Sequence, residues 1–264
     1  MASVQGFSWA LCSFLLGLSA AILISISIHY ANEYADYEPD ALTERTPFSG
    51  GSGALPDLGF DRALALKGAI LFLFAGFLLA IIASFLGHLT TWILALLGAV
   101  AYLGWGYSLG PLRLAWRGWG EVDNAFLGGL LLPIYGYAVI SHQVDLLLIS
   151  AALPFAMLAF VNLLGTHWVD REAGQAVGKN TLTTKLSVSR LRLIYLLTLL
   201  GAYAGIILLP GMPVPVRMGS LTILPLSIWG YYRFTKQHSP APSVYPMVVY
   251  LFIQVITWGF LYFE

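Results

Sequence analysis

The chain is poor in charge. Only 10% of its 264 residues are Asp, Glu, Lys or Arg, whereas a soluble domain carries about 25%. Its 13 basic and 13 acidic residues cancel, so no dense basic stripe is present and nucleic acid is excluded as a partner. Cysteine is almost missing. Cys12 stands alone in an apolar run, which excludes a disulfide-stapled secreted scaffold. No Lys or Arg precedes Arg45, so the apolar stretch 9–28 lacks the charged lead of a secretory signal and reads as a retained span. The regular polar interruption of a membrane β-barrel strand is absent as well.

What the chain does have is hydrophobic length. Apolar residues make up 58% and the mean hydropathy is +0.79. The runs are continuous and close to the ~20 residues that cross a bilayer as helix. Eight candidate helices follow, at 9–30, 64–87, 91–109, 122–140, 145–164, 190–210, 215–234 and 244–262. The expected fold is all-α: a polytopic membrane helical bundle of about eight transmembrane helices, a single unit over residues 1–264 embedded in membrane lipid.

Basic residues divide sharply between the two ends of these helices. Arg45, Arg62, Lys67, Arg113, Arg117, Arg171, Lys179, Lys185, Arg190, Arg192, Arg233 and Lys236 fall on one side and Arg217 on the other. Because cytoplasmic loops keep excess Lys and Arg, the long connections 31–63, 110–121 and 165–189 are expected in the cytoplasm. Eight crossings then put both termini outside.

Two polar clusters interrupt the apolar pattern. Asn32, Asp36 and Asp40 recur every four residues at the end of the first helix, and Asn162, Thr166, Asp170 and Gly174 do so at the end of the fifth. Residues four apart share a helix face. Pro39 is expected to end regular helix at or before Glu38. The clusters lie 134 residues apart at the same expected membrane depth, which points to a shared cavity. Stacked carboxylates repel unless a cation separates them, and Mg²⁺ characteristically reaches phosphate oxygens through one or two carboxylates. Asn32, Asp36, Asp40 and Asp170 are the candidate metal residues. An acidic helix end bathed in headgroup water, and a floppy 31–63 loop, are the plainer alternatives.

Basic side chains follow both clusters. Arg45 leads into a Ser- and Gly-rich stretch through Gly53, and Lys179 follows Gly178. With Arg113 and Arg117 they are candidates to hold a diphosphate, although the last two can equally snorkel to anionic headgroups. Glu121 and Asn124, at the start of the next helix, are candidates to orient an acceptor. His29 and His167 lack zinc spacing and read as structural hydrogen-bonding residues.

Asn32-Glu33-Tyr34-Ala35-Asp36-Tyr37-Glu38-Pro39-Asp40 resembles the first Asp-rich motif of the UbiA superfamily of intramembrane prenyltransferases, with Glu33 in place of the usual Asp. Asp170-Arg171-Glu172-Ala173-Gly174 with Gly178-Lys179-Asn180-Thr181-Leu182 resembles the second, where Thr166 and Gly174 stand at positions usually aspartate. The stretches Arg45–Gly53 and Gly110–Glu121 are similar to the branch of 1,4-dihydroxy-2-naphthoate polyprenyltransferases of menaquinone synthesis. The resemblance implies an Mg²⁺-dependent transferase that moves a prenyl group from a prenyl diphosphate to a small aromatic acceptor, most simply dihydroxynaphthoate. Asn32, Asp36, Asp40, Asp170 and Lys179 are then the catalytic set. It also implies that this chain starts where the family's second helix begins. The rival expectations are another acceptor, an impaired homologue, and a transporter, whose sites also gather at interrupted helices.

Overall fold

A computed structural model describes residues 10–263; the expected start of the first span at Trp9 lies outside them. Among the described residues the structure is helical, with only two isolated bridges, Thr46 to Ser49 and Arg117 to Asn180. The chain runs α1 (Leu11–Ala35), α2 (Tyr37–Leu42), α3 (Ala54–Leu58), α4 (Arg62–Phe85), α5 (Thr91–Ser108), α6 (Gly120–Phe126), α7 (Leu132–Ser141), α8 (Leu146–Val169), α9 (Arg171–Ala176), α10 (Leu182–Lys185), α11 (Val188–Leu208), α12 (Val214–Leu221), α13 (Leu224–Arg233) and α14 (Ala241–Phe263). A widened π turn over Leu127–Leu131 joins α6 to α7. It sits just before Pro133, whose missing N–H and ring disfavour a regular α-helical turn there.

Seven of these helices, counting Gly120–Ser141 as one, are long and apolar enough to cross a membrane. The expected span 215–234 is not continuous. It forms as α12 and α13, broken at Thr222–Ile223, where Pro225 enters the first turn of α13. The broken pair still runs the length of α11. Arg217 Nη2 donates to Leu209 O (3.1 Å) at one end, Tyr203 meets Ser227 (2.8 Å) midway, and Arg192 Nη1 donates to Phe234 O (2.7 Å) at the other. The expected span is thus replaced by two short helices set end to end beside α11, neither of them among the seven.

The long helices pack in two halves. α1, α4, α5 and α6–α7 pack around Ile24, Ile93, Leu97, Val100 and Tyr135. α8, α11, α12–α13 and α14 pack around Leu158, Val161, Leu164, Leu191, Tyr195 and Tyr250. Size is distributed inside-out relative to a soluble helix. On α4 the buried residues are Ala65, Ala69, Gly76, Ala80 and Ala83, while Leu71, Phe74, Leu78 and Phe85 are exposed. Lipid tails supply no hydrophobic drive between helices, so small residues let backbones approach and large ones face the acyl chains. This is an integral membrane protein. The halves meet along α6–α7 and α8, where Gly129 lies directly against the backbone of Ala156 and leaves no room for a Cβ.

Candidate active site

α1 ends earlier than Pro39 would have it. Asp36 caps α1, and α2 begins at Tyr37 with Pro39 inside its first turn. A proline there forfeits no helical hydrogen bond, so it starts a helix rather than stopping one. Asp40 N still bonds Asp36 O (2.9 Å), which keeps the two carboxylates on one face across the break. The second cluster repeats the device: Asp170 caps α8, α9 begins at Arg171, and Gly174 N bonds Asp170 O (2.9 Å).

The two breaks open onto one cavity of about 190 Å³, lined by Asn32, Asp36, Asp40 and Thr43 from the first and Leu163, Thr166, His167, Asp170, Gly174 and Lys179 from the second. Tyr107, Pro39 and the Phe48–Gly51 turn complete its wall. At ~30 Å³ per water it has room for a diphosphate-sized group. Asp36 is shared between the halves. Its Oδ2 accepts from Asn32 Nδ2 (2.9 Å) and from Lys179 Nζ (2.7 Å). Asn32 Nδ2 also donates to Ser108 Oγ (3.0 Å), fixing the amide.

Charge in the cavity is unbalanced. Asp36 Oδ1 and Asp170 Oδ1 are buried without a hydrogen-bond partner. Burial, reinforced by the Asp36 carboxylate, pushes Asp40 up to about 7. Burial also raises Asp170, against the pull of His167 and Lys179. Three carboxylates around one ammonium, two of them with a buried unused oxygen, are a donor set suited to a hard cation. Among the described residues no three His, Cys, Asp or Glu side chains close into a cage. The expected metal residues therefore share a cavity without forming a complete protein site, which fits Mg²⁺ held by carboxylates on one side and substrate oxygens on the other.

The expected basic and acceptor residues are placed differently. Arg45 pairs with Asp57 and donates from Nε to Gly50 O (3.0 Å), bracing the loop outside the cavity wall. Arg113, left-handed at φ 42°, stacks over Trp116 at 4.8 Å. Arg117 contributes its backbone to the bridge with Asn180. None of the three lines the cavity, so Lys179 is the Lys or Arg that does. Asn124 on α6 lies off the wall too.

Glu121 also lies off the cavity wall, for a different reason. It is fully buried, with Oε1 bonded to His167 Nδ1 (2.9 Å) and accepting from Leu182 N (3.0 Å). His167 Nε2 continues to Tyr107 OH (3.3 Å). Glu121 thus ties α6, α8 and α10 together behind the cavity, and His167 has the structural bonding expected of it. Sequence reasoning missed Tyr107 because a single Tyr among glycines and aromatics carries no spacing signal. Glu33, the odd acid of the first cluster, points its carboxylate to Ser52, accepting from N (2.8 Å) and Oγ (3.0 Å). That contact draws the Gly-rich loop back over the site. Gly51, at φ 66°, lies so close to the Asp40 carboxylate that a Cβ would collide with it.

A family model described as the UbiA prenyltransferase family matches residues 1–256. Two 1,4-dihydroxy-2-naphthoate octaprenyltransferases are each 27% identical. The one from Haemophilus influenzae aligns over 205 residues, 75% of this chain and 64% of that protein. The one from Bacillus subtilis aligns over 174 residues, 64% of this chain and 53% of that protein. The chain thus spans less than two thirds of the length of either relative. A solved structure of a UbiA homologue from Archaeoglobus fulgidus, bound to DMAPP and Mg²⁺, superposes with a TM-score of 0.67 at 17% identity, covering 98% of this chain and 92% of that one. At that identity the likeness is one of fold.

Proposed function

Because this chain belongs to the UbiA prenyltransferase family, we propose that it transfers a prenyl group from a prenyl diphosphate to an aromatic acceptor, with 1,4-dihydroxy-2-naphthoate the favoured acceptor. The observation that carries the reading is the convergence of Asp36, Asp40, Asp170 and Lys179 on one cavity, with one buried oxygen each of Asp36 and Asp170 unused. The diphosphate of the donor lies there. Lys179 neutralises its leaving oxygens, and Asn32 holds Asp36 in place. Asp36, Asp40 and Asp170 would hold Mg²⁺, which would supply neutralisation of the diphosphate charge. Leu163, Phe48 and Tyr107 limit water beside the electrophilic carbon. The hydrocarbon tail, too large for this cavity, continues between helices toward lipid. The acceptor carbon attacks, and with dihydroxynaphthoate loss of carbon dioxide follows. The basic-rich end of the bundle, which holds this cavity, is assigned to the cytoplasm.

The test is a product assay on purified protein in lipid with Mg²⁺, long prenyl diphosphates and a panel of aromatic acceptors. Mass spectrometry is expected to show a decarboxylated prenyl-naphthoquinol or its quinone. A prenylated different acceptor overturns the acceptor and keeps the chemistry. Folded protein that binds the diphosphate and prenylates nothing overturns the activity.

A further inference from the structure

The α8–α9 junction has a second cavity on its other side. It measures about 250 Å³ and is lined by Trp168, Val169, Arg171 and Glu172 from the junction and by Thr235–His238 from the connection between α13 and α14. It shares no residue with the reaction cavity. Arg171, Lys236 and His238 face one acid, Glu172, and neither Arg171 nor Lys236 has an ion-pair partner among the described residues. Arg171 lies over the Trp168 ring at 5.1 Å, and its Nε is buried with no hydrogen-bond acceptor. Buried guanidinium N–H groups ordinarily find an acceptor.

The cavity is built rather than incidental. Arg192 Nη1 donates to Phe234 O (2.7 Å) and Thr235 Oγ1 (3.4 Å). Phe234 meets Trp168 edge-on at 6.2 Å and stacks on Tyr195 at 4.7 Å. Between these anchors Thr235 is held at φ 66°, a conformation that a β-branched residue adopts only when its surroundings enforce it. The reversal sets Lys236 and His238 across from Arg171. Trp168 stands at the last turn of the apolar helix α8 and Lys236 just beyond α13. That is the depth of lipid headgroups, where Trp and basic side chains meet phosphate.

We propose that this cavity binds the phosphate of an anionic phospholipid headgroup, with Arg171 and Lys236 on its oxygens and Trp168 against its glycerol carbons. A free phosphate anion has the same charge chemistry. The phospholipid is favoured because Trp168 and Val169 give the cavity an apolar side that inorganic phosphate has no use for. Arg171 follows Asp170 directly, so an occupied site steadies the junction that carries one carboxylate of the reaction cavity.

Native mass spectrometry of the full chain in detergent, titrated with phosphatidylglycerol or phosphatidylcholine, tests the site without reference to turnover. One phosphatidylglycerol is expected to be retained in preference to phosphatidylcholine. Arg171→Gln and Lys236→Gln are each expected to weaken it by about tenfold, while Lys67→Gln, an exposed basic residue on α4, leaves it unchanged. Lys236 is exposed on a loop, so its variant remains informative if Arg171→Gln does not fold. Equal retention of both lipids, or equal affinity in wild type and Lys236→Gln, overturns the site. Displacement of the lipid by millimolar inorganic phosphate or diphosphate overturns the lipid as occupant and leaves a soluble anion in its place.

Discussion

Asp36 uses its two carboxylate oxygens differently. Oδ2 is held by Asn32 and Lys179, while Oδ1 is buried without a partner. Asp170 likewise has an unused Oδ1 on the opposite wall. If these oxygens serve a cation and a diphosphate, Asp36→Asn and Asp170→Asn each lower turnover by about 10²–10³-fold, the usual cost of removing one preorganised electrostatic contact. Size-exclusion profile and thermal midpoint stay near wild type. Mg²⁺-dependent turnover unchanged in both variants rejects the assignment. Gly174 offers the reverse experiment. A Cβ there meets only Lys179 Cβ and Thr184 Cγ2, both at 3.7 Å, which is ordinary contact. Gly174→Asp is therefore expected to fold and to lower the Mg²⁺ concentration needed for half-maximal turnover, read from a metal titration. No change would mean that a carboxylate at 174 does not reach the cation.

At the scale of elements, the candidate cavity depends on two helix breaks facing each other across a tight seam. The stripes at 32, 36 and 40 and at 166, 170 and 174 were legible because a period of four marks one helix face. The exact break was not, because Pro39 is compatible both with ending α1 and with starting α2, and in the structure the break falls at Asp36. The placement of the arginines off the cavity wall was not legible for a related reason. Sequence proximity gives no direction, and Arg45 and Arg113 are turned aside by Asp57 and Trp116, groups on other segments or across a left-handed turn. The seam itself rests on Gly129 against Ala156. Gly129→Val is expected to part α6–α7 from α8 and to lower the thermal midpoint in detergent, by an amount equivalent to about 1–3 kcal/mol of overpacking. Turnover falls with it as Glu121 and His167 separate. An unchanged midpoint would show that the halves are not held by this contact.

At the scale of the whole molecule, the charge division has a spatial counterpart. Asp36, Asp170, Lys179 and the Thr235–His238 loop gather toward one end of the bundle, while the Arg217–Leu209 bond marks the other. With Cys12 replaced by serine, single cysteines at 45, 117, 179 and 236 are expected to label from the cytoplasmic face of oriented membranes, and cysteines at 142 and 217 from the outside. Labelling of 45 and 179 from opposite faces would sink the shared cavity, since one diphosphate could not reach both.

By itself, the sequence determined the membrane class, the helix pattern and the two polar stripes, because each follows from hydrophobic length or from local periodicity. It also exposed the family resemblance, carried by short contiguous motifs. Only the tertiary structure decided which polar residues meet. It joined Lys179 to Asp36 across 143 positions, withdrew Glu121 into a buried bond with His167, divided the expected seventh span into α12 and α13, and brought Arg171 and Lys236 to one cavity. The physical reason is that a side chain's partners are set by packing between distant segments. In a membrane every buried polar group competes for the few others available, and the winner of that competition is fixed by the fold.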